Sequence, residues 1–149
     1  MRVPHTLFVA LLLSVNASAQ FAYDAGIVDY VGLKYPCDGA VVPTLRIQNQ
    51  GTNTMSPCVV ETWKNGLFDN SFNWNLAVPA PTGATRQPAL PVINGVNDGD
   101  LLEFRIISVN TVTDQDATDN FRTETINGTS ELSPSYEVKV QVFTDGDPQ

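Results

Sequence analysis

Histidine is almost missing from this chain: the one copy, His5, stands among the first residues. Residues 1–19 read as a signal peptide. Arg2 and His5 precede the apolar run LFVALLL, and Ala17-Ser18-Ala19 supplies the small side chains that a signal peptidase requires. The expected mature chain begins at Gln20 and has no histidine at all. It can build no Ser-His-Asp triad, no Cys-His pair and no histidine-ligated zinc site. Neither a G-x-S-x-G elbow nor a G-x-x-x-x-G-K-[ST] phosphate loop occurs, so hydrolase and nucleotide chemistry have no recognisable motif. The expectation is a protein that is not an enzyme, with no catalytic residue and no cofactor, calcium being the one alternative.

Basic residues are scarce as well, eight Lys and Arg against sixteen Asp and Glu. Loss of the leader removes Arg2, leaving a formal charge of 7 minus 16, or −9. Phosphate contacts need clustered Lys and Arg, which argues against a nucleic-acid surface. The leader's apolar run is far shorter than the ~20 residues that span a bilayer, and no later run is long enough, so no membrane insertion is expected. The implied location is secreted or at the cell surface.

Helix signals are the third scarcity. Prolines and glycines recur every several residues, and no twelve-residue window keeps a 3.6-residue apolar period without a breaker. What is there alternates. Leu45 and Ile47 oppose Arg46 and Gln48; Phe72, Trp74 and Leu76 oppose Ser71, Asn73 and Asn75; Leu102, Phe104 and Ile106 oppose Glu103 and Arg105. Further strands are expected near Ala25 to Leu33, Cys58 to Lys64, Arg86 to Leu90 and Phe121 to Ile126. Turn clusters (YPCDG, NQGTNT, KNG, VPAPTG, NGVNDGD) separate them. About seven short strands, each with one apolar and one wet face, predict an all-β, immunoglobulin-like antiparallel sandwich over residues 20–127. Residues 128–135 are polar and turn-rich, a linker in composition. Tyr136 to Phe143 alternates again and cannot bury its face alone, so residues 136–149 are expected to open a further domain, the alternative being a last strand of the first sheet.

In order, the chain carries DAGIVDY, PTLRIQNQGTNTMSPCVVETWKNG, FNWNL, PALPVI, GDLLEFRIISVN and TDQDATDN. This succession, from Ala22 to Ile126, resembles the cell-adhesion-related bacterial (CARDB-like) domain of Bacteroidetes-type secreted proteins. The resemblance implies a non-catalytic sandwich, an adhesion or spacer module, in proteins often exported by the type IX route. Cys58 departs from the pattern, which has an ordinary apolar residue there.

Several residues have a functional and a plain reading. Cys37 and Cys58 in an exported chain invite a disulfide. Against it, the seven-residue strand between them spans roughly 23 Å and a disulfide tolerates a Cα separation of only ~7 Å; two free thiols, with Cys58 buried, is the other reading. Trp74 is expected in the core. If Val60 faces inward, Trp63 lies outside with Val59 and Glu61, a candidate ligand contact, with Tyr30 as a second aromatic for stacking on a sugar. The sequon Asn127-Gly128-Thr129 matters only in a eukaryotic secretory route.

Asp114, Asp116 and Asp119 crowd one short stretch. From Asp114 the fifth and sixth positions are Thr118 and Asp119, where an EF-hand needs a ligand and a glycine. Neighbouring aspartates on one loop do not face each other across a glycosidase cleft. The preferred reading is a solvated hairpin tip; the alternative is an irregular calcium site on Asp114, Asp116 and Asp119. Asp98 and Asp100 are expected at the other end of the strand.

The function expected is that of a non-catalytic exported module, an adhesion or spacer domain among neighbouring domains of a longer bacterial surface or secreted protein. The alternative is a carbohydrate-binding module for an attached enzyme, meeting a surface glycan or protein through Trp63.

Overall fold

The computed structural model describes residues 20–36 and 38–127. The expected signal peptide, Cys37, the sequon beyond Asn127, the 128–135 linker and the 136–149 strand lie outside the described residues. Among the described residues there is no helix. Ten strands follow one another: β1 (Ala25–Tyr30), β2 (Ala40–Val41), β3 (Leu45–Asn49), β4 (Cys58–Lys64), β5 (Leu67–Trp74), β6 (Thr85–Arg86), β7 (Ile93–Asn94), β8 (Leu101–Val109), β9 (Val112–Thr113) and β10 (Phe121–Thr125). They form an antiparallel sandwich. One sheet runs β1-β3-β6, the other β10-β8-β4-β5 with β9 on β8, and β2 pairs with β7.

The alternation seen in sequence decides which side chains meet between the sheets. Leu45 and Ile47 from β3, Val60 from β4, and Leu102, Phe104 and Ile106 from β8 are all buried, and their alternating neighbours are more exposed. Phe104 reaches across to the other sheet, where its ring stacks on Tyr30 with centroids 5.6 Å apart. Trp63 lies on the outer face, as the inward Val60 demands.

Two expectations shift. Phe72 and Trp74 are only partly buried, because β5 is the edge strand of its sheet, with β4 as its single neighbour; Leu76, just past the strand, is buried. The strand expected over Arg86 to Leu90 shrinks to β6 and an isolated bridge between Thr44 and Ala89. Pro88 and Pro91 have no N–H for a ladder, so the segment attaches through single bonds, Leu45 N to Pro88 O and Leu90 N to Pro43 O.

The chain comes into the sandwich at one end and leaves at the other. The amides of Ala22 and Tyr23 both donate to Gln115 Oε1 at 2.9 Å, beyond the Val109 end of β8. At the Leu101 end, Ile126 N donates to Asp100 O and Asn127 N to Lys34 O.

The loop Asn49-Gln50-Gly51-Thr52-Asn53-Thr54 seals the incoming end. Asn49 is fully buried; its amide donates to Asn53 O and Ala80 O and accepts from Gly51 N. Gly51 has to be glycine for packing reasons: a Cβ there would sit 2.7 Å from Ala22 O and 2.9 Å from Asp24 N.

Candidate functional site

The densest chemistry gathers at the incoming end, where the segment from Asp114 to Asn120 meets the start of β1. This segment is not a freely solvated tip. After β9 it crosses to the opposite sheet, where Asp119 O accepts from Ile27 N at 2.9 Å, and then returns to pair as β10 on β8. Asp114 is buried, and both its oxygens accept backbone amides: Oδ2 from Ala25 at 2.9 Å and Oδ1 from Asp116 at 3.0 Å. A loop carboxylate here acts as a clasp between sheets, because the Ala25 amide at the end of its strand needs a partner that no neighbouring strand supplies.

The three aspartates read from the sequence thus divide. Asp116 Oδ1 accepts from Thr118 N and Thr118 Oγ1, a local turn at the surface, and these bonds hold its carboxyl below the usual range. Burial raises Asp114, against the bonds from Ala25, Asn120 and the Asp116 amide. Burial and the charges of Asp116 and Asp114 raise Asp119. Asp119 Oδ2 takes a short hydrogen bond from Gln50 Nε2, laid over Gly26, where a Cβ would come within 2.8 Å of Asp119 Cγ. Its other oxygen, Oδ1, is buried without a hydrogen-bond partner.

A fourth aspartate joins them. Asp24, just before β1, is 6% exposed, and its Oδ1 has no partner. Burial, then the charges of Asp119, Asp114 and Asp116, push its carboxyl up to about 6. Beside it Asn120, 7% exposed, gives its side-chain amide to Asp114 while its Oδ1 stays unpartnered. Nothing in the local sequence marked Asp24, which meets the cluster only through contacts between segments about ninety residues apart; Asn120 closes the TDQDATDN stretch but is not among its residues read as a site. Among the described residues no three His, Cys, Asp or Glu side chains converge as a ready metal cage. Asp100 lies at the outgoing end as expected, bonded to Asn65 and to the amide of Asn97.

The aromatic candidates part company. Tyr30 is a core residue and not a sugar platform: it is 5% exposed, stacked on Phe104, with its hydroxyl donating to Leu33 O at 2.7 Å. Trp63 lies on the outer face of the larger sheet in a row that crosses four strands. Phe68 of β5 meets it edge-on at 5.5 Å, and the Arg105 guanidinium of β8 sits 4.5 Å over its ring and 5.6 Å from that of Phe121 on β10. The indole N–H donates to Glu61 Oε2 at 3.2 Å. Phe68 and Phe121 remain exposed.

Cys58 is a buried free thiol at the incoming end, opposite Val109. Cys37 lies outside the described residues. An open apolar groove lined by Leu33, Tyr35, Val41, Val42 and Val92 also lies away from the aspartates.

No protein-family model matches the sequence, and no curated protein does. Among solved structures, the fold is similar to that of a CARDB domain from Pyrococcus furiosus crystallised in complex with di-metal ions. The two are 13% identical, with a TM-score of 0.53 over 70% of this chain and 92% of that one. A likeness at this identity shows a shared architecture: the chain is an immunoglobulin-like antiparallel β-sandwich of the kind that CARDB domains adopt.

Proposed function

We propose that this chain is a non-catalytic, exported β-sandwich module that works as a spacer or adhesion domain of a larger bacterial surface or secreted protein. The observation that carries the reading is the placement of the two chain ends of the sandwich. Ala22 and Tyr23 are fastened to Gln115 at one end, and Asn127 to Lys34 at the other. A module threaded from end to end adds its own length to a string of domains; one with both ends together would hang from the string as a side branch. β8 alone, nine residues long, contributes about 30 Å to that separation. The CARDB-like architecture supports the same reading, and the leader-like residues 1–19 support export.

Paired fluorescent probes at residues 20 and 127 test the spacer role. A rigid spacer gives one narrow distance distribution of about 30 Å or more. A broad or short distribution counts against it.

The outward row of Phe68, Trp63, Arg105 and Phe121, exposed at its two phenylalanines, favours a second reading, a face that binds a glycan or a protein surface. Because Trp63 already has Arg105 over its ring, a sugar would have to displace the guanidinium or lie along the row. Binding on a glycan array that is lost in Trp63→Ala and kept in a core variant of equal stability supports this reading; no binding to any glycan removes it.

A further inference from the structure

The structure leaves three buried oxygens unpartnered at the incoming end, Asp24 Oδ1, Asp119 Oδ1 and Asn120 Oδ1. Two belong to side chains more than nine-tenths buried, Asp24 and Asn120. Asn120 is held against the cluster by a hydrogen bond from its side-chain amide to Asp114, and its carbonyl oxygen is buried there without a partner. Asp119 is also close enough for its charge to act on Asp24. The ion pairs among the described residues all lie elsewhere: Lys34 with Glu124, Arg105 with Glu103, Arg122 with Asp29. Among the described residues no Lys or Arg forms an ion pair with the cluster.

A carboxylate removed from water without hydrogen bonds or a counter-charge is unfavourable, and it relaxes by taking up a proton or a cation. The donor set distinguishes the two. Two carboxylates and an amide carbonyl are hard oxygen ligands, with no nitrogen or sulfur donor, which is the set that calcium-type ions take, with water and loop carbonyls completing the shell. The other two aspartates have other partners. Asp114 is saturated by backbone amides and Asp116 by Thr118, so the ligands differ from the run Asp114, Asp116, Asp119 suggested by sequence.

We propose that Asp24, Asp119 and Asn120 form a binding site for one hard divalent cation of the calcium type, where the chain comes into the sandwich. The cation bridges the segment before β1 to the segment before β10, and so ties the incoming chain to both sheets. This inference stands apart from the spacer and glycan readings.

The test is titration of the full chain with calcium chloride at pH 7, followed by calorimetry and by thermal unfolding. The expected result is one saturable site with Kd on the order of 10⁻⁴ to 10⁻³ M. At tenfold excess over Kd the melting temperature rises by about 5 °C or more, reversed by a chelator. Asp24→Asn and Asp119→Asn each weaken binding by about tenfold or more, Asn120→Ala weakens it too, and Asp116→Asn does not. Absence of both heat and thermal shift in the wild-type chain at about 10 mM calcium overturns the proposal, and assigns the cluster to proton uptake instead. Binding that survives Asp24→Asn and Asp119→Asn overturns it equally, by placing the ion elsewhere.

Discussion

Asp114 Oδ2 accepts the Ala25 amide at 2.9 Å across 89 positions of sequence. This bond and its companion from the Asp116 amide turn an acidic loop into a fastening between two sheets, and they make that loop testable.

Asp114→Ala removes a buried acceptor and leaves the Ala25 amide without one. The expected loss is about 2–4 kcal/mol, from two charge-assisted bonds and an orphaned donor. Urea unfolding checks it: the midpoint falls with an unchanged slope. Asp116→Ala, which disturbs only the Thr118 turn, leaves the midpoint near that of the wild type.

Asp24 sets the expected pH dependence, measured with a chelator present. Its folded carboxyl is raised from 3.8 to about 6, so between those values the folded state holds more protons than the unfolded one. Stability therefore falls as pH rises from about 4 to about 6, and the penalty is complete above that. Asp114 and Asp119, also raised, act in the same sense. Asp116 and Asp100, both lowered, act in the opposite sense, and only below about pH 4. Urea midpoints across this range should decline in the wild type and flatten in Asp24→Asn; a slope equal in both proteins would exclude Asp24 as its source.

The Cys58 thiol is pushed up to about 12, by burial first and the Asp114 charge second. Thiolate is the reactive form, so in the folded protein near pH 8 Cys58 should resist thiol reagents. Unfolding without reductant should expose two reactive thiols per chain. A count of zero would establish a Cys37 to Cys58 disulfide.

Phe104 is fully buried and meets Tyr30 across the sandwich. Phe104→Ala is expected to cost about 3–5 kcal/mol, and Phe104→Leu less than about 1.5 kcal/mol because most of the volume is kept. Chemical denaturation of both variants checks the ratio.

Much of the fold was legible because sheet formation obeys a two-residue rule that a local window can read. Leu45 and Ile47, Leu102 to Ile106, and the outward Trp63 all followed from alternation. The motif from Asn49 to Met55 was legible only as a pattern; its cause, a buried amide that bonds Asn53, Gly51 and Ala80, is tertiary. Tyr30 misled for a related reason. It stands in a strand with no clear alternation, and only the opposing Phe104 and the Leu33 carbonyl reveal that its ring is inside and its hydroxyl satisfied.

The sequence by itself determined the scarcity of histidine, the all-β architecture and the concentration of acid between Asp114 and Asp119, because composition and period-two alternation are properties of neighbours along the chain. Tertiary structure alone decided which aspartates share an environment. The crossing to β1 brings Asp24 into the cluster and packing buries Asn120 beside it, while backbone amides claim Asp114 and Thr118 claims Asp116. Burial and unpartnered oxygens depend on which distant segments pack together, and no local window contains that information.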